Sequence, residues 1–194
     1  MKVILLAGQF NTLKPYEKYP FTKNQSLLNW QINNLLNFTQ DLVVVLDNEE
    51  ADQTLRTTPL LMDCEIVFDT NGNQSSFFTN LESSLYLMQS FAAIIPVSTP
   101  VENTLILTKL YNHYHKYVNG KNFDGIHSYF IRNGQFKETF PIALTGLGKH
   151  HILNAPQLDF SFFKSLNFSP LPFIVEPHLD VISSVKNQLT PLGL

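Results

Sequence analysis

Short runs of apolar residues alternate with longer amphipathic segments through the first 120 residues of the chain. The runs occupy residues 3–7, 41–47, 64–69 and 91–97. An apolar run of this length is typical of a strand that is buried on both faces, as the strands of parallel sheets are. The pattern therefore predicts four buried strands in a mainly parallel sheet.

The segments between these runs have the periodicity of amphipathic helices. Apolar residues recur three and four positions apart within residues 26–38, 76–89 and 103–118. The predicted buried positions are Leu28, Ile32, Leu35 and Leu36 in the first segment, Phe78, Leu81, Leu85 and Met88 in the second, and Leu107, Leu110, Tyr114 and Tyr117 in the third. Strands that alternate with helices in this way predict βαβ units and a three-layer α/β/α sandwich.

The alternation changes after residue 120. Two extended stretches flank Asn133-Gly134, and Asn-Gly is a strong signal for a tight hairpin. The remaining predicted elements are a strand and a short helix within 141–153, a helix over 159–166, a late strand over 171–176 and a terminal helix over 180–189. Because no repeat, low-complexity tract or linker divides the sequence, residues 1–194 are predicted to form a single domain.

Composition narrows the class of protein. The formal net charge is −3, so a broad basic face and a nucleic-acid partner are not predicted. Cys64 is the one cysteine, which excludes an intrachain disulfide and favours a reducing compartment. No apolar run approaches the roughly 18 residues of a membrane span, and the first apolar run is too short for a signal peptide. These features predict a cytoplasmic protein without a membrane partner.

Polar residues follow the predicted strands where open α/β sheets bind ligands, beyond the carboxyl ends of the strands. The first loop carries Gly8 and Lys18, and Asp47 and Asp69 end the second and third strands. Backbone N–H groups of a glycine-containing loop can hold phosphate, and a lysine can neutralise its charge. This edge of the sheet is therefore predicted to bind a phosphorylated ligand such as a nucleotide.

The order and spacing of these segments resemble those of the MobA-like nucleotidyltransferases, which include the molybdenum-cofactor guanylyl- and cytidylyltransferases. The family's first loop begins Leu-Ala-Gly-Gly and ends with an acidic residue followed by Lys. Here residues 6–9 read Leu-Ala-Gly-Gln, and Glu17-Lys18 follows at the same spacing. The resemblance continues through the turn at 74–81, the segment 95–103 and the hairpin 133–144, so it covers nearly the whole chain.

The resemblance implies a Rossmann-like fold of the nucleotide-diphospho-sugar transferase type. It also implies transfer of a nucleotide from GTP or CTP to a molybdopterin-type phosphate acceptor, with Mg²⁺ as cofactor. Carried over position by position, it implies Lys18 as the catalytic cation. The nucleotide-binding positions that it implies are Leu6, Ala7, Gly8, Gln9, Lys14, Lys18 and Asp69.

Each of these residues also has a purely structural interpretation. Lys14 and Lys18 would be solvated surface lysines, Gly8 would end a strand, and Asp69 would cap a turn. Cys64 begins a buried strand and is predicted to be a core residue rather than a nucleophile.

The histidine pairs are also interpreted structurally. His113 and His115 are spaced so that their side chains point apart on a helix. The adjacent residues His150 and His151 are predicted to be surface residues of a short helix. Neither pair is predicted to bind a metal ion.

The sequence departs from the family's pattern at the positions that carry the chemistry. Leu13 occupies the position of the loop arginine, and Ser98 that of the metal-binding aspartate. No metal ligand is therefore assigned, although Glu102 or Glu17 could replace the missing carboxylate. Loss of a cation and a metal ligand is worth roughly 4 kcal/mol or more, about a thousandfold in rate.

These departures predict a catalytically impaired nucleotidyltransferase that binds Mg²⁺ weakly. A second interpretation is a degenerate, non-catalytic relative that binds a nucleotide or a protein partner. A third interpretation is an α/β domain that is similar to the family only in its architecture.

Overall fold

The computed structural model describes residues 1–7, 27–47, 55–56, 58–69, 77–97, 101, 103–132 and 135–174. Within these ranges the strands are β1 (Lys2–Leu6), β2 (Leu42–Asp47), β3 (Glu65–Asp69), β4 (Phe91–Pro96), β5 (Gly125–Arg132), β6 (Gln135–Thr145) and β7 (Phe168–Ile174). The helices are α1 (Leu27–Leu36), α2 (Phe77–Leu85), α3 (Leu105–His113), α4 (Gly146–Leu153) and α5 (Phe160–Ser165). A 3₁₀ turn covers Pro59–Asp63, and a π turn, Tyr114–Val118, continues α3. The predicted terminal helix at 180–189 lies outside the described residues.

The strands form one sheet in the order β3-β2-β1-β4-β6-β5-β7. Neighbouring strands from β3 to β4 are parallel, β6 is antiparallel to both β4 and β5, and β7 is parallel to β5. The sheet is thus mainly parallel, as predicted. Arg132 of β5 pairs with Gln135 of β6, so the predicted hairpin is confirmed by its strands, although Asn133-Gly134 lies outside the described ranges.

Helices cover both faces of the sheet, which confirms the predicted three layers. Alternate residues of each strand point to opposite faces. On one face Val3 and Leu5 belong to a buried cluster that includes residues of α1 and α3. On the other face Ile4 and Leu6 belong to a cluster that includes residues of α2, α4 and α5. Both faces of β1 are therefore covered, which explains why its residues 3–6 are all apolar.

The π turn after α3 changes which residue faces the core. Tyr117, which the sequence predicted to be buried, is 45% exposed, and Val118 is buried in its place. A π turn closes from residue i to i+5 and holds one residue more than the corresponding α turn. The prediction for Tyr117 was wrong because it assumed uninterrupted α-helical periodicity.

Candidate functional site

The carboxyl ends of β1 and β4 lie side by side at one edge of the sheet. Leu6 pairs with Pro96, and the N–H of Val97 donates to the carbonyl of Leu6 (3.0 Å). The strand order reverses here, because β1 is followed along the chain by β2 on one side but has β4 as its other neighbour. A reversal of this kind opens a crevice at the carboxyl ends of the strands, where ligands of open α/β sheets bind. This carboxyl edge is the candidate site.

Leu6 and Ala7, two of the predicted nucleotide-binding residues, are built into the sheet. Both side chains are buried, and the N–H of Ala7 donates to the carbonyl of Val45 (2.8 Å). These groups are already used, so direct contacts with a phosphate would have to come from Gly8 onward. The other predicted site residues, which lie outside the described ranges, remain predictions: Gly8, Gln9, Lys14, Glu17, Lys18, Ser98 and Glu102.

Asp69 lies at the same edge, at the end of β3, and its side chain is fully buried. Its Oδ2 atom accepts hydrogen bonds from Oγ1 of Thr79 (2.8 Å) and Nδ2 of Asn80 (3.0 Å) in the first turn of α2. A buried carboxylate needs such donors, because burial without them is energetically costly. These bonds tie β3 to α2, and the predicted nucleotide-binding role of Asp69 stays a prediction.

Two amide side chains of α1 hold the backbone that follows β4. Gln31 is fully buried; in the amide orientation that satisfies both of its polar atoms, Nε2 donates to the carbonyl of Val97 and Oε1 accepts from the N–H of Val101, each at 3.2 Å. Nδ2 of Asn34 donates to the carbonyl of Val101 (3.0 Å). These contacts were not predicted from the sequence, although a glutamine four positions from both Leu27 and Leu35 interrupts the buried stripe of α1.

A second polar cluster lies at the opposite end of the sheet. Oδ1 of Asp124 is 2.7 Å from Nδ1 of His151, and Oδ2 accepts from the N–H of Asn167 (2.7 Å). The backbone carbonyl of Asp124 also accepts from the N–H of Thr145 (2.9 Å). Because Thr145 pairs with Phe91, the first residue of β4, this cluster is at the amino ends of the parallel strands.

The Asp124–His151 pair borders a cavity of about 390 Å³. The cavity is far from the candidate edge, since the two lie at opposite ends of β4. His151 is exposed, as predicted, although its carboxylate partner, 27 residues away in sequence, was not predicted. The neighbouring His150 is exposed, as predicted.

Cys64 and His113 are held in structural contacts. Burial, with a smaller effect of the Asp63 charge, raises the pKa of the Cys64 thiol to about 11, so the thiol is protonated and unreactive at neutral pH. Nε2 of His113 is 3.1 Å from Oγ of Ser169. Burial, together with the charge of Lys121, lowers the pKa of His113.

The described ranges contain no group of three or more His, Cys, Asp or Glu residues arranged to hold a metal ion. They also contain no helix that is long and apolar enough to cross a membrane.

Comparison with known proteins identifies the fold. No protein-family profile and no curated protein sequence matches the chain. A homolog of Mycobacterium tuberculosis Rv0371c from Mycobacterium sp. strain JC1 is similar in structure, with a TM-score of 0.69 and 13% identity over 98% of this chain and 97% of that one.

Two further solved structures are similar to nearly the whole chain. One is a cytidylyltransferase from Leptospira borgpetersenii serovar Hardjo-bovis, with a TM-score of 0.61 and 12% identity over 97% of this chain and 94% of that one. The other is 4-diphosphocytidyl-2C-methyl-D-erythritol synthase from Anaerococcus prevotii, with a TM-score of 0.61 and 10% identity over 96% and 95%. The chain therefore has the α/β fold of the nucleotide-diphospho-sugar transferase type, as predicted, whereas the narrower resemblance to MobA-like proteins stays a prediction.

Proposed function

We propose that this chain is a nucleotidyltransferase that binds a nucleoside triphosphate at the carboxyl edge of β1 and β4. The observation that carries the proposal is that β1 and β4 end side by side, near Ala7 and Val97, where the strand order reverses. Two structures with the same fold are named as a cytidylyltransferase and a diphosphocytidyl-methylerythritol synthase. These names support a nucleotide ligand, and CTP is the first to test beside GTP.

The proposed reaction transfers a nucleoside monophosphate to an acceptor phosphate and releases pyrophosphate. A molybdopterin-type acceptor is the candidate that the sequence resemblance supplies. Because the reacting groups carry several negative charges, positioning and charge neutralisation provide most of the catalysis. In this proposal the backbone from Gly8 onward binds the phosphates, and Lys18, with Lys14 as a second cation, neutralises charge on the leaving group.

The described residues do not fit a magnesium site. Mg²⁺ is normally held by one or two carboxylates together with substrate phosphates. The carboxylate at the end of β3, Asp69, is fully buried, and its Oδ2 already accepts two hydrogen bonds. Ser98 supplies a neutral hydroxyl at the position of the family's aspartate. A metal site would therefore depend on residues outside the described ranges, such as Glu17 or Glu102, and we derive no catalytic step through the metal.

The neutral serine at position 98, where the family has a metal-binding aspartate, favours a second candidate function, which is binding of a nucleotide without turnover. A cleft that keeps Lys18 but lacks a metal-binding carboxylate would still attract phosphate. It would stabilise the transition state poorly, because charge on the leaving pyrophosphate would be neutralised only in part. The proposal therefore includes weak, magnesium-dependent activity, with binding alone as its limiting case.

Binding is tested by titrating CTP and GTP, with and without magnesium, into the wild-type protein and two lysine variants. We expect Lys18→Ala to weaken binding about tenfold or more, because a charge-assisted contact is worth about 1.5–3 kcal/mol. Lys164→Ala, which removes an exposed lysine of α5, is the matched control and should bind like the wild type. Wild-type protein that binds neither nucleotide, or equal affinities for all three proteins, would contradict the proposal.

Turnover is tested separately by measuring pyrophosphate release from CTP and from GTP with a molybdopterin-type acceptor. Slow release that requires magnesium and falls further in Lys18→Ala supports an impaired enzyme. Tight nucleotide binding without any release supports the binding function. Rapid wild-type turnover would show that the predicted impairment is wrong.

A further inference from the structure

The amide of Gln31 bridges the two ends of a short chain segment. It donates to the carbonyl of Val97, the residue that follows β4, and accepts from the N–H of Val101, four residues later. Both valines are buried in the cluster between the sheet and the α1/α3 helix layer. One side chain therefore binds the backbone at two buried positions, Val97 and Val101.

Burial makes this bridge specific. Gln31 has no exposed surface, and a buried amide is costly unless both its donor and its acceptor are satisfied. The two backbone groups that it contacts satisfy both requirements. Asn34, one helical turn further along α1, adds a bond from Nδ2 to the carbonyl of Val101 (3.0 Å), so both polar groups of the Val101 backbone bind α1.

The bridge lies at the edge that the proposed nucleotide site uses. Val97 donates its own N–H to the carbonyl of Leu6, so the backbone that Gln31 holds neighbours the end of β1, after which the proposed phosphate-binding loop begins in sequence. Residue 98, which directly follows Val97, occupies the position of the family's metal-binding aspartate. The helix that supplies Gln31 begins at Leu27, at the first described residue after that loop.

We infer that Gln31 is a positioning residue of the nucleotide site. It fixes the backbone of Val97 and of Val101 relative to α1, and through Val97 relative to the end of β1. Asn34 assists it from the same helix. This inference rests on the proposed function, because a positioning residue has a role in binding only where a nucleotide binds at this edge.

The test compares Gln31→Met and Asn34→Ala with Thr145→Val. Methionine keeps the approximate size and apolar packing of glutamine but supplies neither hydrogen bond. Asn34 is only partly buried, so its variant tests the inference even if Gln31→Met does not fold. Thr145 caps α4 and bonds to the carbonyls of Phe123 and Asp124 at the opposite end of the sheet, so Thr145→Val is a destabilised control far from the site.

Three quantities are measured for each protein: hydrogen exchange at the N–H of Val101, the urea midpoint, and affinity for CTP and GTP with magnesium. We expect Gln31→Met to accelerate Val101 exchange and to weaken nucleotide binding about tenfold, and Asn34→Ala about threefold, in line with one or two lost hydrogen bonds. Thr145→Val should lower the urea midpoint but leave affinity within about twofold of the wild-type value.

The outcomes separate this inference from the proposed function. Faster Val101 exchange with unchanged affinity in both α1 variants would overturn the positioning role and leave the proposed function intact. An equal loss of affinity in Thr145→Val would also overturn it, because the effect would then follow general stability. Wild-type protein without any nucleotide affinity would overturn the proposed function, and the positioning role with it.

Discussion

Oδ1 of Asp124 lies 2.7 Å from Nδ1 of His151 while its Oδ2 accepts the backbone N–H of Asn167, so one carboxylate joins α4 to the start of β7. The Asp124 side chain is 6% exposed, whereas that of His151 is 45% exposed. Asp124 is therefore the more buried partner, and its carboxylate also makes a second bond, to the N–H of Asn167. The two residues should contribute unequally to stability.

Replacement of Asp124 should destabilise the protein more than replacement of His151. We expect Asp124→Ala to lower the free energy of unfolding by about 2–3 kcal/mol, because the N–H of Asn167 would lose its buried acceptor. His151→Ala should cost about 1 kcal/mol or less, since the imidazole is half exposed to solvent. Urea denaturation measures both, with the exposed neighbour His150→Ala as control. A larger loss in His151→Ala than in Asp124→Ala would contradict this ranking.

A methyl group added at Gly148 should be poorly tolerated. An ideal Cβ at this position would overlap the carbonyl oxygen of Asp124, a backbone atom that cannot rotate away. We expect Gly148→Ala to lower the free energy of unfolding by about 2–3 kcal/mol. Gly146→Ala, in the same helix, is the control, because its Cβ would have its nearest contact at 3.9 Å, with the carbonyl of Ser90. Equal thermal midpoints for the two variants would show that α4 does not approach β5 this closely.

Stability should depend on pH through His113. Burial and the charge of Lys121 lower its pKa in the folded protein, so below the ordinary value, about 6.5, the unfolded chain binds more protons than the folded one. Stability should therefore be fully present above about pH 6.5 and decline as the pH falls from there toward the folded-state pKa.

His113→Gln should reduce this decline, whereas His115→Gln, at an exposed position two residues later, should leave it unchanged. Urea midpoints measured from pH 7.5 to pH 5 give the comparison. A decline that is the same in wild type and in His113→Gln would exclude His113 as its source.

Ser98→Asp should strengthen magnesium-dependent nucleotide binding. The substitution places a carboxylate at the position where the resemblance to MobA-like proteins predicts a metal ligand, and Mg²⁺ prefers carboxylates to hydroxyls. With magnesium present, we expect the Ser98→Asp variant to bind CTP or GTP at least about threefold more tightly than the wild-type protein does. The gain in turnover should be smaller, because Leu13 still occupies the position at which the resemblance predicts an arginine. Calorimetry with and without magnesium measures the change, and Ser98→Asn is the uncharged control. An equal gain in Ser98→Asn would show that charge is not the cause.

The elements that the sequence predicted well are strands whose side chains have apolar neighbours on both faces of the sheet. Residues 3–6 of β1 and all of β4 are apolar because helices cover both faces of the sheet, so the pattern was unambiguous. The order of the strands could not be predicted in the same way. The Asn133-Gly134 signal indicates that β5 and β6 are antiparallel neighbours, but nothing local indicates that β6 rather than β5 pairs with β4.

The polar contacts were harder to predict because they join distant parts of the chain. Asp124 and His151 are 27 residues apart, and each on its own is typical of an exposed loop or helix residue. Gln31 had a local signal, since it interrupts an apolar stripe, but its partners are backbone groups, which carry no mark in the sequence. The candidate edge itself was predictable, because it requires only that parallel strands end together.

The order of the strands also has a consequence for how the protein assembles. β5 and β6 meet across a two-residue connection, with Arg132 opposite Gln135, whereas β1 meets β4 with Val3 opposite Ala93. Bringing β1 and β4 together closes a much longer stretch of chain than the hairpin does, and this costs more chain entropy before any contact compensates for it. We therefore expect the hairpin to form before the central parallel pair, and pulse-labelling hydrogen exchange during refolding should show amides of β6 protected earlier than those of β1. Simultaneous protection would indicate that the sheet forms in a single concerted step.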